Sequence, residues 1–293
     1  MATRTSYRLV NGSDSLTLSG GVATSPIMVL RSEFTPARPR VVDQDRSGRS
    51  GKIDVTSLYG EATFSAVVRI QGDADMTRYD YLDLLKGYLV PSMRPYLYFQ
   101  RDGWLGERRA LLRGEGVNVV ITKTSGQYLE ADVRVVIPDG VVEDNEASSF
   151  SLFPNGSNIG WSYNASYPKA YTPASSGNSL VVSVVGNVPT PPYIRIYGTC
   201  AAPRIRRVLP DQTATDIYMP NLSLESPHYI DIDVENRRVF LDGVVANSYL
   251  SLIDFSVSDW FDLQPGDNNV LFTAASASAG CYAEVSYRNR RTP

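Results

Sequence analysis

From residue 62 to 71 the side chains alternate. Ala62, Phe64, Ala66, Val68 and Ile70 are set against Thr63, Ser65, Arg69 and Gln71, with Val67 the one interruption. A period of two is the mark of a half-buried strand. Leu129, Ala131, Val133, Val135 and Ile137 alternate in the same way with Glu130, Asp132, Arg134 and Val136. With the apolar run Val117 to Thr122, this predicts a hairpin turning over Thr124-Ser125-Gly126-Gln127. Between the strands, Met76, Tyr79, Leu82, Leu85 and Leu89 recur every three or four residues. That is the spacing of one helix face, so a helix is predicted near 75–89. Asp73 or Asp75 is its expected cap, with Gly87 and Pro91 at its end. The stretch from Phe34 to Gly51 is rich in Arg, Pro, Gly and Asp and has no apolar period. It reads as a loop, and a loop of that length is usually functional.

The second half is β throughout. Short apolar runs recur at Ser179 to Val185, Tyr193 to Tyr197, Ile205 to Val208, Thr213 to Met219, Tyr229 to Val234, Arg238 to Leu241, Asn269 to Thr273 and Tyr282 to Tyr287. Glu235-Asn236-Arg237 and Pro265-Gly266-Asp267-Asn268 supply turn chemistry, the second suiting a type II turn. Many short strands with such turns argue for a β-sandwich. Charge also changes along the chain: of the 48 residues from 147 to 194, only Lys169 is charged. The expected division is therefore 1–146, mainly β with one helix, and 147–293, a β-sandwich.

Composition narrows the function. The chain has 293 residues, 28 Lys+Arg and 31 Asp+Glu, for a net charge of −3. A general polyanion-binding surface is not announced. One histidine, His228, and two cysteines, Cys200 and Cys281, leave too few ligands for a Cys/His zinc site. The cysteines read as buried free thiols, and sequence does not say whether they are neighbours. Neither a metal nor an organic cofactor is expected. Met1 to Asp14 has no apolar core of the signal-peptide kind. The uncharged stretch 170–194 is broken by Pro173, Pro189, Pro191 and Pro192, so no membrane insertion is expected.

Candidate chemistry is sparse. Gly48 to Lys52 (GRSGK) lacks the leading glycine of a phosphate loop, and Ile53 stands where a hydroxyl is needed. Gly114-Glu115-Gly116 lacks the third glycine of a dinucleotide fingerprint. Asp231 and Asp233 lie two apart on one predicted strand, a spacing compatible with a glycosidase pair but more simply a solvated strand face. His228 has no serine or aspartate tied to it by sequence. Four N-x-S/T matches, at Asn11, Asn155, Asn164 and Asn221, read as chance. Phe150, Phe153, Trp161, Tyr163, Tyr167 and Tyr171, interleaved with polar residues, suit an interface or a sugar platform. Arg outnumbers Lys 24 to 4, and Arg is the cation favoured at interfaces.

One ordered series is more specific. It runs Gly186-Asn187-Val188-Pro189-Thr190-Pro191-Pro192-Tyr193-Ile194-Arg195-Ile196-Tyr197-Gly198, then Ile230-Asp231-Ile232-Asp233, then Arg238 to Gly243, then Trp260-Phe261-Asp262-Leu263-Gln264-Pro265-Gly266-Asp267-Asn268. In order and spacing over residues 186–293 this resembles the siphovirus distal tail protein family. The residues carrying the resemblance are Gly186, Asn187, Pro189, Pro191, Ile194, Ile196, Gly198, Asp231, Asp233, Gly243, Trp260, Leu263, Pro265, Gly266 and Asn268.

The resemblance implies a virion structural protein at the distal end of the phage tail, made in the host cytoplasm. Its N-terminal domain would build a ring, commonly a hexamer, and a galectin-like sandwich would project outward. Implied partners are further copies of the chain, the tail tube, the tape-measure protein, and the central-fibre and receptor-binding proteins, with DNA only in passage. No catalytic residue comes with the family. Within the resemblance, Pro191-Pro192 is expected to lead into an edge strand, and Trp260, Leu263 and Phe272 to anchor the Pro265-Gly266 turn. Two other classes stay open: a carbohydrate-binding sandwich aiding adhesion, and, with nothing specific behind it, a glycan hydrolase.

Overall fold

The computed structural model describes residues 5–20, 25–36, 39–45, 52–101, 104, 106–114, 119–154, 179–246 and 248–293. The chain divides into two compact units, Met1–Glu146 with Arg290–Pro293, and Ala147–Asn289. The last four residues thus belong with the first unit, although the sequence placed them in the second domain. No helix among the described residues is long and apolar enough to cross a membrane.

The first unit begins with β1 (Ser6–Asn11), β2 (Asp14–Gly20), β3 (Ile27–Thr35), β4 (Pro39–Asp45), β5 (Lys52–Tyr59) and β6 (Ala62–Gln71). Helix α1 (Arg78–Tyr88) follows, then β7 (Tyr96–Gln100), β8 (Arg108–Leu111), β9 (Val119–Thr124), β10 (Tyr128–Ile137) and β11 (Val142–Asp144). The second unit holds β12 (Ser148–Leu152), β13 (Ser179–Val184), β14 (Tyr193–Tyr197), β15 (Cys200–Ala201), β16 (Arg204–Val208) and β17 (Ala214–Tyr218). It continues with β18 (Ser223–Leu224), β19 (Tyr229–Asp233), β20 (Arg238–Leu241), a 3-10 turn at Leu250–Leu252, β21 (Gly266–Thr273), β22 (Ser276–Ala277) and β23 (Tyr282–Tyr287). The final strand, β24 (Arg290–Arg291), pairs with β11 back in the first unit.

Ten strands of the first unit form one sheet in the order β24-β11-β8-β7-β1-β2-β3-β6-β10-β9. The predicted alternation is realised in β6, whose Ala62, Phe64, Ala66, Val68 and Ile70 are all buried. The rings of Phe34 on β3 and Phe99 on β7 lie 4.8 Å apart. Three strand steps separate β3 from β7, about 14 Å in a flat sheet. The sheet therefore curls over, and its two halves share one core with Leu82, Leu85 and Leu89 of the helix region. Tyr79, expected on that apolar face, is exposed.

The cap of α1 differs from the sequence expectation. Thr77 is the N-cap, and the Asp80 side chain returns to the Thr77 amide in a capping box. Asp73 instead accepts from the amides of Asp75 and Met76, closing the turn before the helix. The expected loop from Phe34 to Gly51 is also corrected. Phe34 and Thr35 belong to the end of β3, and Pro39–Asp45 is a strand paired antiparallel with Lys52–Tyr59. The polar, arginine-rich sequence hid this strand because neither of its faces carries an apolar row. Gly48, within the GRSGK match, lies outside the described residues.

In the second unit, a five-stranded sheet β12-β23-β14-β19-β20 and a four-stranded sheet β13-β21-β16-β17 share a single core. Ile194, Ile196, Ile230 and Ile232 come from the first sheet; Ile205, Val270 and Phe272 come from the second. Two sheets closing on one apolar layer make a sandwich. A short sheet, β18-β15-β22, adds to it.

Candidate functional site

The strands YIRIY and YIDID each put isoleucines on one face and polar or aromatic residues on the other. The isoleucines enter the core, so the five-stranded sheet presents Tyr193, Arg195 and Tyr197 of β14 outward, beside Tyr229, Asp231 and Asp233 of β19. Register aligns them across strands: Tyr197 stands opposite Tyr229 on one side and Tyr282 on the other. The ring centroids are 5.6 Å apart for Tyr197–Tyr229, 4.8 Å for Tyr197–Tyr282 and 6.1 Å for Phe153–Tyr282. A row of four aromatic rings thus runs from just beyond β12 to β19. Cross-strand aromatic pairs of this kind also stabilise the sheet, by roughly 0.2–1 kcal/mol each.

One register step along lies a polar row: Glu284, Arg195 and Asp231 are direct cross-strand neighbours. Arg195 Nε donates to Asp231 Oδ1 at 2.6 Å, and Arg195 Nη1 donates to the Tyr197 hydroxyl at 3.4 Å. The guanidinium sits 4.5 Å from the Tyr229 ring centroid. Its hydrogen bond to Asp231 holds its pKa above the ordinary arginine value. Burial, then the neighbouring Asp231 carboxylate, pushes Tyr193 up to about 12. The result is a set of planar, polar groups locked against one another and ready to contact a partner without further ordering.

Asp231 departs from expectation. On a solvated strand face it would meet water, yet it is 0% exposed. Burial of a carboxylate requires a partner, and Arg195 on the neighbouring strand supplies it. Asp233 turns to local work: its carboxylate accepts from the Asn236 amide at 3.0 Å and the Asn236 side chain at 2.8 Å. The two carboxylates therefore do not act as a pair.

At the Tyr229 end of the row, His228 Nδ1 lies 2.6 Å from Asp242 Oδ2, and Asp242 Oδ1 accepts from the Tyr229 amide. That amide bond, then His228, holds the Asp242 carboxyl below its usual value. Both side chains face solvent. Among the described residues no group of three or more His, Cys, Asp or Glu is arranged to hold a metal ion.

The remaining residues of the ordered series are fold determinants. Gly186 and Asn187 make the bend after β13. Thr190, between Pro189 and Pro191, exchanges both backbone hydrogen bonds with Leu263. Pro191-Pro192 leads into β14, which lies between β23 and β19. The strand is central rather than the expected edge; the prolines fall before its ladder begins, so their missing N–H groups cost it nothing. Gly198, Gly243 and Gly266 have φ of +80°, +74° and +91°, the left-handed region where a Cβ is strained. Asn268, 0% exposed, closes the Pro265-Gly266 turn by accepting from the Gln264 amide and donating to the Gln264 and Gly266 carbonyls. Leu263 and Phe272 are fully buried, and Trp260 packs on the same core.

Sequence reading missed Tyr197, Tyr229, Tyr282, Phe153 and Arg195 as a group. Each strand shows its tyrosine at an outward position, but only the pairing order brings these strands side by side. Of the aromatic stretch singled out earlier, Phe150 packs on the core and Phe153 joins the row. Trp161, Tyr163, Tyr167 and Tyr171 lie outside the described residues.

Residues 185–290 match the family model described as siphovirus-type tail component, C-terminal domain. Over that segment the chain is similar to a siphovirus-type tail component domain. The match spans the bends, core isoleucines and turn asparagine just described, and it upholds the resemblance to the siphovirus distal tail proteins. No curated protein matches the chain. Among solved structures, the chain resembles the phage SPP1 Dit (gp 19.1) protein with a TM-score of 0.64 and 12% identity, covering 97% of this chain and 98% of that one. It also resembles a chain of the phage P2 baseplate in its activated conformation with Ca, with a TM-score of 0.51 and 12% identity, over 100% and 99% of the two chains. The likeness of fold to these structures therefore extends through both units.

Proposed function

We propose that this chain is a distal tail hub: a ring of identical subunits that joins the tail tube to the tail-tip apparatus. The observation that carries the reading is the combination of the tail-component match in the second unit with full-length fold similarity to SPP1 Dit. That protein's structure is described as a paradigm of hub adsorption apparatus in phages infecting Gram-positive bacteria. The ring partners are further copies of the chain. The tube and tape-measure proteins adjoin it on one side, the central-fibre and receptor-binding proteins on the other, and DNA passes through. The work is structural, and no step of catalysis is assigned to it.

Two features of the first unit fit self-assembly. The β4–β5 hairpin forms a two-stranded sheet of its own, apart from the ten-stranded sheet. An isolated hairpin is marginal in water and gains from packing on something else. Strand β9 ends the ten-stranded sheet with Val120 and Ile121 exposed, an open edge of the kind that pairs with another chain.

Light scattering behind a sizing column, at several concentrations, tests the ring. A mass near three or six times 32.2 kDa supports it. A monomer at every concentration, both alone and with purified tail-tube protein, rejects it. Replacing residues 39–59 by a short Gly-Ser linker is expected to abolish assembly; unchanged assembly removes the hairpin from the interface.

The tyrosine row favours a second, compatible reading in which the sandwich also holds host-surface glycans. Tyrosine rings beside fixed Arg and Asp groups offer CH–π stacking and directed hydrogen bonds together. Binding on a glycan array that is lost in Tyr197→Ala and Tyr282→Ala, with folding retained, supports it. Absence of binding, or binding untouched by both changes, rejects it.

A further inference from the structure

Gly198 closes β14 at φ +80°, and a Cβ built there would meet the Gly280 carbonyl oxygen at 2.5 Å and the Cys281 Cα at 2.9 Å. The absent side chain lets the turn entering β23 lie directly against the backbone that continues from β14 into β15. Hydrogen bonds fix the approach: the Ser278 amide donates to the Thr199 carbonyl at 2.9 Å, and the Cys281 amide to the Ser278 carbonyl at 3.1 Å. Two residues beyond Gly198, Cys200 pairs across β15 with Ala277 on β22 and Leu224 on β18. The two cysteines, far apart in sequence, thus belong to adjoining backbones. Both side chains belong to the same apolar core, at 2% and 1% exposure.

From this geometry we infer that Cys200 and Cys281 are a latent disulfide site, joined when the protein meets an oxidising thiol–disulfide pool such as glutathione disulfide. The Cys200 thiolate attacks one sulfur of glutathione disulfide, breaking its S–S bond and releasing one glutathione thiolate. Cys281 then gives up its proton and attacks the Cys200 sulfur of the mixed disulfide, expelling the second glutathione. Two protein thiols are oxidised and one glutathione disulfide is reduced to two thiols, so atoms and electrons balance. The order follows from the pair itself: the neighbouring Cys281 lowers the Cys200 thiol, while Cys200 and then burial push Cys281 up. Because the core encloses both sulfurs, exchange proceeds during folding or through opening of this corner, and the finished bond is shielded from reduction.

The test refolds the full chain in glutathione buffers of graded ratio, then traps free thiols with an alkylating agent and weighs the intact protein. The expected product is an unalkylated monomer about 2 Da lighter than the reduced chain. A bond that fits the native fold stabilises it by typically 2–4 kcal/mol, so oxidation is favoured about 30- to 1,000-fold more in native buffer than in denaturant. Equal oxidation with and without denaturant overturns the inference, as do chains carrying only glutathione adducts or linked into disulfide dimers. Cys281→Ser is expected to stop at one glutathione on Cys200; a monomeric species 2 Da light in that variant likewise overturns it.

Discussion

Replacing Gly198 by alanine asks one position to bear two separate costs. The backbone there has φ +80°, and a side chain in the left-handed region costs about 1–2 kcal/mol. The new methyl would also sit 2.5 Å from the Gly280 carbonyl oxygen and 2.9 Å from the Cys281 Cα, both backbone atoms that no rotamer change can move. Overpacking of that kind costs roughly 1–3 kcal/mol. The sum is about 2–5 kcal/mol, a large share of the 5–15 kcal/mol that holds a typical domain together. With a urea dependence of about 2 kcal/mol/M, the midpoint should fall by about 1–2.5 M. Gly280→Ala is the paired control on the facing turn, where an added Cβ meets nothing within 4 Å. That variant should stay within about 0.5 kcal/mol of the parent. Urea titrations of both, followed by circular dichroism and tryptophan fluorescence, make the comparison. Coincident midpoints for the two variants would refute the claim that Gly198 is fixed by close backbone approach.

Three further outcomes are expected. Asn268→Ala, which strips the Pro265-Gly266 turn of three hydrogen bonds and strands buried backbone groups, should cost about 2–4 kcal/mol in the same titration. Thr77→Ala removes the capping box of α1 and should cost about 1 kcal/mol, read as a lower melting temperature. Burial raises the Asp216 carboxyl, but hydrogen bonds and charge from Arg206 and Arg204 outweigh it and leave the pKa below the usual value. A depressed folded pKa means stability that is present above roughly pH 4 and lost as pH falls through the folded value. Asp216→Asn should therefore flatten the loss of stability between about pH 4 and pH 2, measured as urea midpoints across that range; an unchanged slope would count against the Arg206–Asp216–Arg204 arrangement.

Sequence patterning located most strands because each buries a single face. In β6 and β14 the inward positions are apolar without exception, and a period of two needs no partner to be seen. What failed were features set by residues distant in the chain. Asp231 reads as solvated until Arg195, 36 positions away, is placed beside it. The aromatic row needs the pairing β23-β14-β19, in which no two neighbours are consecutive in sequence. Two-residue strands such as β15, β18 and β22 are too short to carry a period, and β4 (PRVVDQD) has its two valines adjacent, so neither alternate set forms an apolar row. The cap of α1 was misplaced by local competition: Asp73 does accept backbone N–H groups, but in the turn preceding the helix. The family-like series was legible early because its residues are bends, core isoleucines and a turn asparagine, which speak through local sequence. The candidate face was hidden because it depends on register.

The path of the chain through its two units bears on how such a protein can be remodelled. Residue 143 on the way into the second unit and residue 290 on the way out face each other as cross-strand neighbours, with Arg290 Nε donating to Glu143 Oε1 at 2.8 Å. Arg291 pairs likewise with Asp144. The second unit is thus an insertion hung from two adjacent strands, both anchored in the first. Stopping the chain after residue 146 would delete an edge strand of the ten-stranded sheet and cost Glu143 and Asp144 one arginine partner each, leaving them Arg109 and Arg108. Joining the two anchor strands by a brief turn would preserve that edge while excising everything between them. The same doorway admits a larger or different module without disturbing the sheet that frames it, so the inserted unit is exchangeable independently of its scaffold.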